Sequence, residues 1–338
     1  GASCPLRYRY GAAALADPGV EEIPARTLLV VGGLYGNVEA LSALEEMVEA
    51  EEAIYGVRPV VVFNGDFNFF NADAASMLLV NQRIRSRYLA SAGNVELEMT
   101  SAAFGAEGCG CGYPSYVSRG VVERSDRIVS ALGEAARTLP PDDLAWLRAL
   151  PLFRVFRVGE ARVGVIHGDP DSLAGWGFGV ESIAPLDAEV RAALGVTAEQ
   201  PTTSEAQVGA WFRAAKVDAF ASTHTCLPFA QRFEIAQGRQ GVVFNNGAAG
   251  MPNFAGTSYG LITRISDSPD PPSDSLYGCN LRGARFDSVP LRFDSAKFTP
   301  RFLARWPPGS AAHASYFTRI CAGPAFFSPS HADRLSTS

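Results

Sequence analysis

Four side chains able to bind a metal or move a proton each sit just past an apolar run. Asp66 follows VVVFNG, His167 follows VGVI, His224 follows AFAST, and Asn94 follows Leu89 to Gly93. Asn245 and Asn246 follow GVVF in the same way. Singly, each has an ordinary explanation. Asp and Asn form turns, and a lone histidine at a strand end is commonly a hydrogen-bonded structural residue. Placed together at the carboxyl ends of strands in one sheet, they converge in space. Asp, Asn, His and His make an oxygen-and-nitrogen set suited to zinc, iron or manganese. A buried hydrogen-bonded cluster of the same four is the competing reading.

A second loop has the form of a site without its chemistry. VVGGLYGNVEAL, residues 30–41, is a strand running into glycines and then a helix, with no histidine, lysine or carboxylate in the loop itself. Other candidates surround the main set. Glu96 and Glu98 follow Asn94 closely enough for one to act as a base or to orient its amide. Cys109 and Cys111, in GCGCGYP, allow metal binding or thiol–disulfide exchange, against the plainer reading of inert thiols in a glycine-rich loop. Arg83, Arg85 and Arg87 read as a solvated helix face. His313 and His331 read as surface or structural residues.

The elements that must hold these side chains follow from periodicity. Residues 27–32, 58–63 and 217–224 are β-branched or apolar runs, and 37–54, 73–90, 124–138, 141–149 and 205–215 read as helices. Residues 153–169 read as a hairpin around Gly159–Glu160, and 229–236 and 241–250 supply further strands. Alternating strands and helices at the start predict a largely parallel sheet there. GNVELE and 266–275 read as loops. The last 60 residues show one strand pattern, VPLRFD, and a proline-rich tail that wraps the core, covers the site or mediates self-association.

The chain has 338 residues, 47% hydrophobic and 19% charged, with net charge −6. That composition is globular, and the absence of a basic tract argues against nucleic acid. No signal peptide and no membrane span are expected. Six cysteines in this length do not form a disulfide framework, so a cytoplasmic, thiol-reducing setting is expected.

The order of the loops resembles the calcineurin-like metallophosphoesterase superfamily. That family carries Asp-x-His-Gly-Asn, Gly-Asp, Gly-Asn-His-Glu/Asp, a lone His after a strand, and Gly-His-x-His. GGLYGNVEAL, NGDFNFF, GNVELE, VIHGD and THTCLP occur here in that order, and FNNGAAGMP resembles the family's Asn-Pro-Gly-Ser segment. The resemblance covers roughly residues 27–265. It implies an α/β fold, a four-layer α/β/β/α sandwich of two mixed sheets, with residues 266–338 as a C-terminal extension packed on the same domain. It also implies two metal sites, unequally kept. Asp66, Asn94, His167 and His224 match the full ligand set of the second. The unshared ligands of the first fall at Gly33, Tyr35 and Cys226, and the general-acid histidine falls at Val95.

The resulting expectation is a divergent phosphoesterase-like hydrolase with one divalent transition metal, iron, manganese or zinc. Tyr35, Asn37 and Cys226 line the substrate pocket or an altered first-metal position. The substrate is a small phosphate-containing or anionic metabolite, with neither nucleic acid nor membrane as partner. Two alternatives stand beside it: a metal and thiol redox enzyme on the same fold, and a non-catalytic metal-binding module.

Overall fold

Strands rich in Val, Ile and Phe that are buried on both faces need a layer on each side, and this chain supplies two sheets and two sets of helices. A computed structural model gives the fold of residues 6–101 and 110–336. In chain order the strands are β1 (Glu22–Ala25), β2 (Thr27–Val31), β3 (Val60–Asn64), β4 (Leu89–Ser91), β5 (Phe153–Val158), β6 (Ala161–Ile166), β7 (Ala219–Ser222), β8 (Phe229–Ala236), β9 (Arg239–Asn245), β10 (Gly260–Ser266), β11 (Tyr277–Leu281), β12 (Ala284–Leu291) and β13 (Asp333–Arg334). The helices are α1 (Val38–Tyr55), α2 (Ala74–Arg87), α3 (Asn94–Met99), α4 (Arg119–Ala136), α5 (Pro141–Arg148), α6 (Ala188–Ala193), α7 (Glu205–Ala215), α8 (Ser295–Arg305), α9 (Ala311–Ala322) and α10 (Pro329–Ala332).

The strands form a seven-stranded sheet, β1-β5-β6-β7-β9-β8-β13, and a six-stranded sheet, β11-β12-β10-β2-β3-β4. Both are mixed: β2, β3 and β4 run parallel while β10, β11 and β12 pair antiparallel, and β6, β7 and β9 run parallel beside the β5–β6 hairpin. Strand β2 shows why the layers stack. Leu28 and Val30 join the core that holds Phe156, Val163 and Phe220 of the facing sheet. Leu29 and Val31 point the other way, into the core shared with Leu41 and Leu44 of α1. The period of two places each strand residue on a defined face, and the result is the four-layer α/β/β/α sandwich.

Several local expectations change. GNVELE is helical as α3, its start fixed by the Glu96 carboxylate accepting from the Gly93 backbone N–H at 3.0 Å. A six-residue helix is too short to display a periodic pattern. The tail is helical in α8, α9 and α10, and β11 and β12 form a hairpin that completes the six-stranded sheet. Pro300 sits inside α8, so proline content had suggested an irregular tail where a helix forms. The arginine cluster is an ordinary helix face, with Arg83 bonded to Glu45 at 2.7 Å and Arg87 at 3.6 Å from it. No helix among the described residues is long and apolar enough to cross a membrane.

Candidate metal centre

Strand ends at the junction of the two sheets bring the candidate residues together. Asp66 follows β3, His167 follows β6, His224 follows β7, and Asn94 opens α3 after β4. Asp66, His167 and His224 each offer a ligand atom, and those atoms lie within 4.8 Å of one another in a buried cluster. The His167 Nε2 is 3.4 Å from Asp66 Oδ2.

Backbone carbonyls set the tautomer of both histidines. His167 Nδ1 donates to the Asn64 carbonyl at 2.7 Å, so Nε2 carries the lone pair. His224 Nε2 donates to the Cys111 carbonyl at 3.1 Å, so Nδ1 carries it. The Asn94 amide is oriented the same way: its Nδ2 donates to Glu98 Oε1 at 3.4 Å and to Cys111 Sγ at 3.5 Å. That leaves Asn94 Oδ1, His167 Nε2 and His224 Nδ1 buried without a hydrogen-bond partner. Buried polar atoms are nearly always paired. Three unpaired acceptors beside a carboxylate form a donor set suited to zinc, iron or manganese, and the carbonyl and carboxylate behind them are the outer contacts that such ligands usually have.

Without an ion, the electrostatics set the two rings apart. Burial lowers His167, but the Asp66 carboxylate together with the Asn64 carbonyl and Glu96 more than offsets it, so the protonated ring is favoured until an ion takes the Nε2 position. Burial and repulsion from a protonated His167 lower His224 to about 4, keeping its ring neutral. Burial would raise Asp66, and His167 with His224 more than reverses this. Glu98 is pushed up to about 8, first by burial and then by Asp66. Glu96 is raised to about 7 by burial and Asp66, against the backbone N–H groups of Asp66 and Gly93 that bond to it. Of the two, Glu98 orients Asn94. Glu96 instead holds the Asp66 loop, accepting from the N–H of Asp66, Phe67 and Asn68 at 2.8, 3.0 and 3.3 Å.

The loops are under constraint. Asp66, His224, Tyr35 and Cys226 all adopt positive φ, at 54°, 29°, 56° and 65°. Such backbone in non-glycine residues persists where the surroundings fix it, and it clusters at functional sites. Gly93 is required by close approach, since a Cβ there would lie 2.2 Å from Asp66 Oδ1. Gly65 is required twice, with φ +80° and a Cβ that would lie 2.6 Å from His167 Nδ1.

Tyr35 and Cys226 meet each other, Tyr35 Oη to Cys226 Sγ at 3.1 Å. Burial raises both groups; Cys226 and Asp66 repel a Tyr35 phenolate further, and for Cys226 burial outweighs the Arg319 charge and the Tyr35 hydrogen bond that lower it, so both are protonated. They line a cavity of about 280 Å³ that also reaches Asp66, Asn94, Val95 and His224. Asn37, expected beside them, is elsewhere. Its Oδ1 accepts from the Ala40 N–H and its Nδ2 donates to the Gly250 carbonyl, so it caps α1 and is fully buried. Asn245 and Asn246 are also structural, tying their loop to Phe178, Gly32 and Leu261.

Cys111 is disulfide-bonded, whereas reduced thiols were expected. A disulfide is uncommon in a thiol-reducing compartment, so the cysteines lend that setting no support. Cys109 lies outside the described residues. Sequence reasoning missed the far wall of the cavity, where Trp176, Tyr316, Arg319 and Phe326 stand. The only available signal was Tyr316 and Arg319 three residues apart, on one face of a helix that begins at a Ser310 cap.

No family model matches the chain, and no curated protein shows significant similarity to it. Solved structures do match. One is a metallophosphoesterase from Sphaerobacter thermophilus, 15% identical with a TM-score of 0.50, the match covering 89% of this chain and 100% of that one. Another is a hypothetical protein from Pyrococcus horikoshii OT3, 14% identical with a TM-score of 0.53, covering 90% and 100%. The chain has the calcineurin-like metallophosphoesterase fold.

Proposed function

We propose that this protein is a metal-dependent phosphoester hydrolase that works with a single divalent transition metal. Asp66, Asn94, His167 and His224 would hold the ion. The observation that carries the reading is the set of three buried acceptors without partners, all beside Asp66. A metal bound there supplies a Lewis acid for the phosphoryl oxygen and lowers the pKa of a water ligand. The chain's own groups do the rest. Glu98 and the carbonyls of Asn64 and Cys111 keep the donor atoms aimed inward, Glu96 fixes the Asp66 loop, and the cavity walls exclude bulk water.

The three unshared first-metal positions, Gly33, Tyr35 and Cys226, give no ready second site. Glycine has no ligand, and the phenol and thiol are protonated and bonded to each other. This supports Tyr35 and Cys226 as pocket lining. With one ion, and Val95 where an acid would stand, hydrolysis of an alkyl phosphate is slow, since a positioned acid alone contributes a factor of about 10²–10⁴.

The test is metal analysis of protein prepared with manganese, zinc or iron, alongside hydrolysis of a phosphate monoester. The expected result is one ion per chain, lost in His224→Ala with the circular dichroism spectrum retained, and weak hydrolysis lost with it. Purified protein that takes up no ion under any of these conditions refutes the proposal.

A further inference from the structure

The cavity over the donor cluster differs from a pocket made for a polar metabolite. Its walls include Phe69, Tyr113, Trp176, Leu227, Tyr316 and Phe326. Arg319 is the one arginine or lysine among the described residues that line it. That arginine is held in place, its Nε donating to the Pro252 carbonyl at 3.1 Å and its Nη2 to the Cys226 carbonyl at 2.5 Å. It gives the cavity one fixed positive charge close to Cys226.

Away from the donor cluster, the polar side chains of the wall already have partners. Tyr35 is bonded to Cys226. Tyr113 shares a hydrogen with Ser125 at 2.7 Å, and the Tyr316 hydroxyl lies against it. Tyr116 donates to the Glu181 carboxylate. Thr225 donates to the Phe178 carbonyl at 3.3 Å. A sugar or other polyol entering here would give up hydrogen bonds to water and find few in return, which is costly for each group left unpaired. A flat apolar group would meet ring faces and edges, the geometry that aromatic pairs favour. At about 280 Å³ the space is near the lower limit for small-ligand pockets, about 300 Å³. One or two fused rings fit such a space, and a dinucleotide does not.

Taking the phosphoester reading as its basis, we infer that the substrate is a phosphate ester of a phenol or a comparably flat aromatic alcohol. The phosphoryl group faces the donor cluster and Arg319, and the ring lies between Trp176, Tyr316 and Phe326. The leaving group suits the site as well as the binding. Water adds to phosphorus, the bond from phosphorus to the aryl oxygen breaks, and the aryl oxide departs with that electron pair. The proton released by the water passes to solvent or to the aryl oxide. An aryl oxide is a weak enough base to leave without a positioned acid, so Val95 costs little with such a substrate and much with an alkyl ester.

The experiment compares two compounds that cannot be hydrolysed, 1-naphthylphosphonate and methylphosphonate. Binding to the manganese-loaded full chain is followed by titration calorimetry and by quenching of tryptophan fluorescence. The naphthyl compound is expected to bind at least about tenfold tighter and to quench Trp176. Phe326→Leu and Tyr316→Ala are expected to reduce that preference several-fold and leave methylphosphonate unchanged. Phe326→Leu guards against a folding defect in the larger truncation. Equal affinity for the two compounds overturns the aromatic class and leaves the phosphoester reading standing. Failure of both to bind a metal-loaded chain overturns both. Tighter binding of glucose 6-phosphate than of 1-naphthyl phosphate also overturns the aromatic class.

Discussion

Tyr35→Phe separates a pocket lining from a rebuilt second metal site, and its size follows from the structure. The hydroxyl makes a single hydrogen bond, to Cys226 Sγ at 3.1 Å. Its ring packs on Phe69 and Phe70, with centroids 5.5 Å away in each case, and phenylalanine keeps both contacts. No cavity opens, so only the bond is lost, a net contribution of about 0.5–1.5 kcal/mol. For a chain of this length the unfolding entropy is about 0.7 kcal/mol per kelvin, at about 2.1 cal/mol/K per residue, so the melting temperature falls by about 1–2 °C. Cys226→Ser keeps a hydroxyl for Tyr35 and changes stability less. Neither variant alters the metal content, which stays at one ion per chain by plasma emission analysis. Visible absorption in iron-loaded protein shows no tyrosinate or thiolate band in either parent or variant. A parent with two ions per chain, falling to one in Tyr35→Phe or Cys226→Ser, refutes the reasoning, as does a charge-transfer band that either change bleaches.

Other outcomes follow from groups farther along the same chains of contact. Glu98→Leu removes the acceptor of the Asn94 amide and lowers manganese affinity about 10–100-fold, while Glu98→Gln keeps an acceptor and most of the affinity, both read by calorimetry. Glu51→Ala strands the Arg264 guanidinium, which is 1% exposed and bonded to Glu51 at 2.5 and 3.1 Å. The cost is about 3–5 kcal/mol in urea denaturation, and Glu51→Leu with Arg264→Met recovers most of it. Burial raises Glu181 above the ordinary value of 4.5, against the hydrogen bond from Tyr116. The folded protein therefore keeps that proton to higher pH than the unfolded chain. Its contribution to stability is complete below the unfolded value and is lost as pH rises through the folded one, so the melting temperature falls across that window and Glu181→Gln flattens the fall.

The strands and the donor cluster were legible for one shared physical reason. Buried strands must be apolar, so the polar residue that interrupts each run, Asp66 after VVVFNG or His224 after AFAST, marks both the strand end and the site. Helix α3 hid because its six residues carry Glu96 and Glu98 inward, where amphipathic patterning expects apolar groups. The identity of the outer contacts was legible only in part. Glu98 beside Asn94 was readable from spacing, but the carbonyls of Asn64 and Cys111 have no side-chain signature at all. Asn37 misled for a related reason, since an asparagine in a loop before a helix fits a cap as well as a ligand. The aromatic wall was invisible because Tyr113, Trp176 and Tyr316 come from three distant segments that only the tertiary fold brings together.

Helix α9 gives the cavity its far side, and Arg319 joins it to the Cys226 carbonyl across 93 residues of sequence. The four donor residues, Asp66, Asn94, His167 and His224, all precede α9 in the chain, so the cluster and the wall above it belong to separate stretches of sequence. A change that loosens α9 would therefore widen access to the cluster while leaving its side chains on their own loops. An ion held there would exchange faster in such a variant, and selectivity among the molecules that enter beside it would fall at the same time.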